Sequence, residues 1–180
     1  MCFLIFCVFN LLTFALTSRG FSFQKDTENP RGFRTIKTFF TLNFFLQLYL
    51  VYAHVPSESF VPETIGWIVQ TASAALFWWT RRVNHQRPLT LAYHTDTPTH
   101  LNRSGPYRFI RHPFYTAYIM APLACAMYTL SPLSLVAALI NYWLYNRAAA
   151  FEENKFTQSA LSSDYELFKT QAGRFWPKLF

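Results

Sequence analysis

The chain has 180 residues, of which 52% are hydrophobic, and it contains 20 Phe, 10 Tyr and 5 Trp. That content is too apolar for an ordinary soluble domain. A net charge of +7 could indicate binding to nucleic acid. The basic residues, however, lie in three segments that follow apolar runs, 19–37, 81–111 and 147–178. This arrangement is typical of membrane topology signals, so nucleic acid is not an expected partner.

Five apolar runs are predicted to cross a membrane as helices. They are residues 1–17, 38–55, 64–80, 114–130 and 133–150, with Ser131-Pro132 separating the last two. The first run lacks the basic start of a signal peptide, so we expect it to be retained. All three basic segments then fall on one side, which the positive-inside rule assigns to the cytoplasm together with the C-terminus.

The predicted fold is therefore an all-α integral membrane protein with about five transmembrane helices. We expect one domain over residues 1–180, with spans in 1–90 and a cytoplasmic cofactor site in 91–180. That site would be built from the loop between spans three and four, the extension of span five and the C-terminal segment. The endoplasmic reticulum and the bacterial inner membrane are the two expected locations.

Polar residues in the apolar runs favour structure over catalysis. Asn43 and Gln47 lie four residues apart and are predicted to form hydrogen bonds between helices. The three cysteines all lie in apolar runs, which predicts neither a disulfide nor a thiolate metal site. The histidine spacing also fits no zinc pattern, so no metal is expected.

The stretch Ser104–Tyr115, which reads SGPYRFIRHPFY, carries the strongest chemical signal. Gly105-Pro106 predicts a turn, and Pro113 suits the first position of a helix. Arg111 and His112 would then lie at a helix N-terminus, where free N–H groups attract an anion. Two rings, Tyr107 and Tyr115, flank the turn and suit a cation. The stretch thus predicts a ligand with a carboxylate and a positive centre; the alternative is a membrane-interface anchor.

The fifth run continues past the membrane as a helix that carries Arg147, Glu152 and Glu153. Arg147 lies near the inner bilayer edge, where a charge is costly unless it is functional or extends to the interface. Further on, Ser163 and Glu166 have the spacing of a capping box at the start of a short helix that ends near Gly173.

These motifs together resemble the isoprenylcysteine carboxyl methyltransferase family and the related phospholipid methyltransferases. The resemblance covers about residues 95–178 and rests on the Arg-His-Pro turn, the later Glu-Glu pair and the tail Arg-Phe-Trp-Pro. It implies a membrane methyltransferase that binds S-adenosylmethionine and takes a lipidic or prenylated substrate from the membrane lipids. The implied cofactor contacts are Thr99, His100, Leu101, Asn102, Tyr107, His112, Pro113, Phe114, Tyr115 and the Glu152-Glu153 pair. Arg147 corresponds to the active-site arginine of the family.

Two positions depart from the family pattern. Phe168 stands where a second tyrosine is common, and Gln171 where an arginine is common. Arg174 is a candidate for the missing charge, although its spacing differs.

Methyl transfer from a sulfonium requires alignment and desolvation more than acid–base help. The favoured acceptor is a carboxylate, such as that of a prenylated cysteine or a similar lipidic acid, which is already ionised and would be held by Arg147. The alternative is an amine acceptor, as in phospholipid N-methylation, which would need Glu152 or Glu153 as proton acceptor. Two further alternatives are an NADPH-using sterol reductase, whose fold ends in a related Arg-His-Pro turn, and a non-catalytic membrane protein.

Overall fold

The computed structural model describes residues 1–19, 31–54, 60–84, 98 and 100–178. Within these ranges the chain forms six α-helices and no strand, which confirms the all-α prediction. The helices are α1 (Cys2–Arg19), α2 (Arg31–Tyr52), α3 (Val61–Asn84), α4 (Pro113–Thr129), α5 (Pro132–Thr157) and α6 (Ser162–Gln171). A short 3-10 turn, Gly105–Arg108, precedes α4.

Five of these helices coincide with the five predicted spans, but none of the helices in the described ranges combines the length and apolarity needed to cross a bilayer. The prediction of five membrane-spanning helices is therefore not confirmed. α4 has 17 residues, which corresponds to about 26 Å against the roughly 30 Å of a bilayer core. Amide side chains inside the other helices, among them Asn43, Gln70 and Asn141, lower their mean hydropathy.

The helix ends follow the local sequence at the α4–α5 junction. α4 ends at Thr129, and Leu130 adopts the left-handed conformation with φ of 50°. Ser131 then caps α5 by accepting a hydrogen bond from the Ser134 amide, and Pro132 occupies the first turn. The predicted break at Ser131-Pro132 is thus confirmed.

The predicted capping box at the start of α6 is wrong. The N-cap residue is Leu161, two residues before Ser163, and no side chain caps the helix. Glu166 instead pairs with Lys169 at 2.9 Å on the exposed face of the helix. Glu166 therefore forms an i,i+3 ion pair with Lys169 and does not make the hydrogen bond that a capping box requires.

α4 lies at the centre of the bundle and packs against α3 and α5. Small residues on α4 allow close approach, since Ala117 and Ala124 are fully buried and Ser73 of α3 donates a 2.8 Å hydrogen bond to the Ala117 carbonyl. On the other side, Gln47 of α2 donates to the Ser134 carbonyl at 3.2 Å. This contact confirms the predicted interhelical role of Gln47.

Candidate active site

The turn that precedes α4 has the conformation its sequence predicts. Gly105 has a φ of +56°, and a Cβ at this position would lie 2.5 Å from the Val83 side chain, so glycine is required for two reasons. The buried Tyr107 hydroxyl accepts a 3.0 Å hydrogen bond from Asn84 at the end of α3. Burial raises the pKa of Tyr107 well above 10.0, so its phenol stays neutral.

Arg111 and His112 lie at the N-terminus of α4, as predicted. His112 is the N-cap residue, Pro113 is the first residue of the helix, and the His112 carbonyl accepts from the Thr116 amide at 2.9 Å. The C-terminal segment lies beside this turn, with a parallel bridge between Ile110 and Gly173. The start of α4 is therefore covered by residues from the far end of the sequence.

The anion at this helix N-terminus is supplied by the chain itself. Glu153, near the end of α5, accepts hydrogen bonds on Oε1 from Arg111 Nε at 3.2 Å and Nη2 at 3.0 Å. The same oxygen accepts from Arg174 Nε at 3.1 Å and lies 3.2 Å from His112 Nε2. Oε2 accepts from Arg174 Nη2 at 2.6 Å. Glu153 is thus surrounded by three cationic side chains.

These contacts decide the protonation state of Glu153. Burial by itself would raise the pKa of the carboxyl group, but the hydrogen bonds from His112 and Arg174 and the charge of Arg111 outweigh burial and hold the pKa well below its usual range. A carboxylate this strongly stabilised is a very weak base. The arrangement therefore argues against Glu153 as a proton acceptor.

His112 lies between the two glutamates. Its Nε2 faces Glu153 at 3.2 Å and its Nδ1 faces Glu152 Oε2 at 3.5 Å. Burial opposes a charge on the ring, but the hydrogen bonds to Glu152 and Glu153 prevail and raise the pKa of His112 above 6.5. Only the imidazolium form donates from both nitrogens, so the geometry favours the charged ring. The Tyr115 ring stacks parallel to it, with centroids 5.5 Å apart.

Glu152 differs from its neighbour in both exposure and bonding. Its side chain is 25% exposed, against 9% for Glu153. The Tyr115 hydroxyl donates a short hydrogen bond to Glu152 Oε1, and His112 lies beside Oε2. Of the two α5 carboxylates that lie beside the start of α4, Glu152 is therefore the one that remains accessible to a ligand.

The structure does not bring all the predicted cofactor contacts to this cluster. Thr99 lies outside the described residues, His100 is exposed, and Asn102 bonds to Asn84 at 3.2 Å beneath the 3-10 turn. Leu101 packs with Tyr107 in a separate apolar cluster. Phe114 packs against Phe77 of α3, with ring centroids 5.5 Å apart, and so faces the bundle interior.

Arg147 lies on a different side of α5 from the glutamate pair. Given 3.6 residues per turn, it is about 120° from Glu153 and about 140° from Glu152 around the helix. Its guanidinium carbon lies 5.0 Å from the centre of the exposed Trp143 ring. The structure therefore places Arg147 on an exposed aromatic face and not in the charge cluster.

The departures in the tail have structural explanations. Phe168 is buried against Tyr165 and Tyr107, where an apolar ring fits, and Gln171 is exposed. Arg174 reaches the charge cluster from the extended tail. Asn146, which accepts from Arg174 Nη1 at 2.9 Å, was not predicted, because an isolated asparagine in an apolar run gives no sequence signal for a partner 28 residues away.

Comparison with known proteins assigns the family. The model of the phospholipid methyltransferase family matches residues 63–164, from the first turn of α3 into α6. The matched region is more than half of the chain and includes the Arg-His-Pro turn and both glutamates. The chain therefore belongs to the phospholipid methyltransferase family, as its motifs predicted. No curated protein and no solved structure matches it.

Proposed function

We propose that the protein transfers a methyl group from S-adenosylmethionine to the amine of a lipid. The family assignment supports methyl transfer and a lipid substrate. The observation that favours an amine is the accessible carboxylate of Glu152, which Tyr115 orients by a hydrogen bond at the start of α4. The whole chain would act as one membrane methyltransferase domain.

The residues of the cluster suit this cofactor. Three cations, Arg111, His112 and Arg174, meet two carboxylates, Glu152 and Glu153, which leaves an excess of positive charge for the cofactor carboxylate. The accessible Glu152 and the Tyr115 ring suit a positive centre. When bound, S-adenosylmethionine supplies an electrophilic methyl group on sulfur.

An amine must lose a proton to become a nucleophile, so its methylation requires an acceptor close to the reacting nitrogen. Glu153 is unsuited to be this proton acceptor, because three cationic side chains stabilise its ionised form. Glu152 is the better candidate, since its carboxylate is accessible and Tyr115 fixes its orientation.

The second candidate is carboxyl methylation of a prenylated cysteine. Arg147 favours this alternative, because it offers an exposed guanidinium for a carboxylate beside Trp143, whose ring suits an isoprenoid chain. No proton acceptor would be needed in this reaction, and Glu152 would contact only the cofactor.

We further propose that the protein is a multi-pass protein of the endoplasmic reticulum or the bacterial inner membrane. The basic segments 19–37, 81–111 and 147–178 support a cytoplasmic position for the site and the C-terminus. Reporter fusions at the C-terminus test this topology, and activity of a periplasmic or lumenal reporter alone would contradict it.

The reaction is tested with radiolabelled S-adenosylmethionine and two acceptors, phosphatidylethanolamine vesicles and a prenylated cysteine. We expect label in the amine lipid, a large loss of turnover in Glu152→Gln and loss of the acidic limb of the pH–rate profile. Arg147→Lys should stay near wild type. Label in the prenylated cysteine, with Arg147→Lys strongly impaired, would instead support carboxyl methylation.

A binding titration separates these reactions from the remaining alternatives. S-adenosylmethionine should raise the thermal unfolding temperature of the protein in detergent, while NADPH should not. The reverse result would support a reductase, and no response to either would favour a non-catalytic protein.

A further inference from the structure

The segment 172–176 is attached to the start of α4 by its backbone. The Arg111 amide donates to the Gly173 carbonyl at 2.8 Å, and the His112 amide donates to the Arg174 carbonyl at 3.2 Å. In return, the Gly173 amide donates to the Phe109 carbonyl at 3.1 Å. The two residues that begin the charge cluster therefore have their main chain held by the C-terminal segment.

The Arg174 side chain attaches the same segment to α5. Its Nε and Nη2 donate to the two oxygens of Glu153 at 3.1 and 2.6 Å, and its Nη1 donates to Asn146 Oδ1 at 2.9 Å. All three guanidinium nitrogens thus bind one helix. A planar guanidinium can form this set of bonds and an ammonium cannot, because the bonds diverge in one plane.

Other contacts of the segment reach the same residues. The Thr116 hydroxyl of α4 donates to the Phe175 carbonyl at 3.1 Å, and the Phe175 ring lies 6.1 Å from the His112 ring. From Arg174, polar contacts continue through Glu153 to His112 and on to Glu152. Arg111 cannot take over the role of Arg174, since it is bound to Glu153 and to the Ala172 carbonyl.

We propose that Arg174 is a positioning residue: by fastening the segment 172–176 to α5, it holds the start of α4 and sets the orientation of His112 and Glu152. Arg174 acts through Glu153 and the tail backbone, without contact to a substrate. This inference rests on the proposed methyl transfer for its kinetic consequence, while its structural consequence is independent of any activity.

The structural consequence is tested by hydrogen–deuterium exchange on the full-length protein in detergent. In Arg174→Gln, peptides that contain the amides of Arg111, His112 and Gly173 should exchange at least about tenfold faster, because exchange follows the local opening equilibrium. Arg174→Lys should show an intermediate effect. The matched control is Lys178→Gln, which removes a tail cation that, among the residues the structure describes, bonds to the carbonyls of Lys169 and Thr170 in α6, and it should leave these peptides unchanged.

The kinetic consequence is tested with the same variants. In Arg174→Gln, kcat should fall by about tenfold to a hundredfold, as expected when a reacting group is displaced. Arg174→Lys should recover part of this loss, and Lys178→Gln should equal wild type in kcat and in the KM for S-adenosylmethionine. If Arg174→Gln does not fold, Asn146→Ala, which removes one of the three bonds, gives the same comparison with a smaller effect.

Unchanged exchange at Arg111, His112 and Gly173 in a folded Arg174→Gln protein would overturn the attachment. Faster exchange with unchanged kcat and KM would overturn the positioning role. If the wild-type protein transfers no methyl group to any acceptor, the proposed function fails, and the exchange measurement still decides the attachment.

Discussion

Gly173 lies directly against the carbonyl group of Trp176: a Cβ built on Gly173 would stand 1.8 Å from that oxygen. The neighbouring atom belongs to the backbone, so it cannot move aside as a flexible side chain would. The tail can therefore make this tight bend beside the start of α4 only with glycine at position 173.

We expect Gly173→Ala to detach the tail. The change should lower stability by at least the roughly 1–3 kcal/mol of an overpacked core. Thermal unfolding in detergent and the rate of tryptic cleavage after Lys169 measure the effect. Gln171→Ala, on the exposed end of α6, is the control, and equal behaviour of the two variants would contradict the close contact.

The raised pKa of His112 predicts a pH dependence of stability. Because the folded-state pKa lies above the unfolded value of 6.5, the stabilisation is fully present below that pH and is lost as pH rises through the folded-state pKa. The unfolding temperature of wild type should therefore fall above pH 6.5 more steeply than that of His112→Gln. A wild-type curve parallel to that of His112→Gln would contradict the ion pairs between His112 and the two glutamates.

The lowered pKa of Glu153 predicts the opposite pH dependence of stability. Its pKa is lowered from 4.5, so its stabilisation is present above that pH and is lost as pH falls through the lower folded-state value. Glu153→Gln should destabilise the protein by about 3–5 kcal/mol, because it leaves buried cations without their anion. Chemical denaturation measures this loss.

The matched control for that change is Glu166→Gln, in the exposed pair with Lys169. It should alter stability by less than about 0.5 kcal/mol. Equal losses at the two glutamates would show that Glu153 is no more important for stability than a surface residue.

The contact between α3 and α4 provides a test of the bundle. A Cβ on Gly66 would lie 2.6 Å from the Tyr128 Cβ and 3.0 Å from the Ala124 carbonyl oxygen. We expect Gly66→Ala to cost about 1–3 kcal/mol, despite the higher helix propensity of alanine. Ala72→Ser, on the exposed face of α3, should be near neutral in the same denaturation experiment, and a stabilising Gly66→Ala would show that the helices are further apart.

Much of the candidate site was predictable because it is local. Gly105, Pro106 and Pro113 restrict their own backbone, so the turn and the start of α4 follow from the sequence. The failed capping box was also a local inference, but Glu166 had a second partner in Lys169, three residues away. The spans were inferred from apolar runs alone, and the internal amides that pair across the bundle reduce the apolarity of the helices.

The all-α class, the family and the position of Arg111 and His112 at a helix N-terminus could be predicted from the amino-acid order, because composition, motif and proline geometry act over a few residues. Which glutamate is enclosed by cations and which remains accessible follows from the packing of distant segments. Glu152 and Glu153 are neighbours in sequence, but about 100° of helix rotation separates them, and Arg174 reaches Glu153 only after the tail has folded back beside Ile110. The charge environment of a carboxylate depends on partners brought from distant parts of the chain, and for Glu153 that environment stabilises the ionised form.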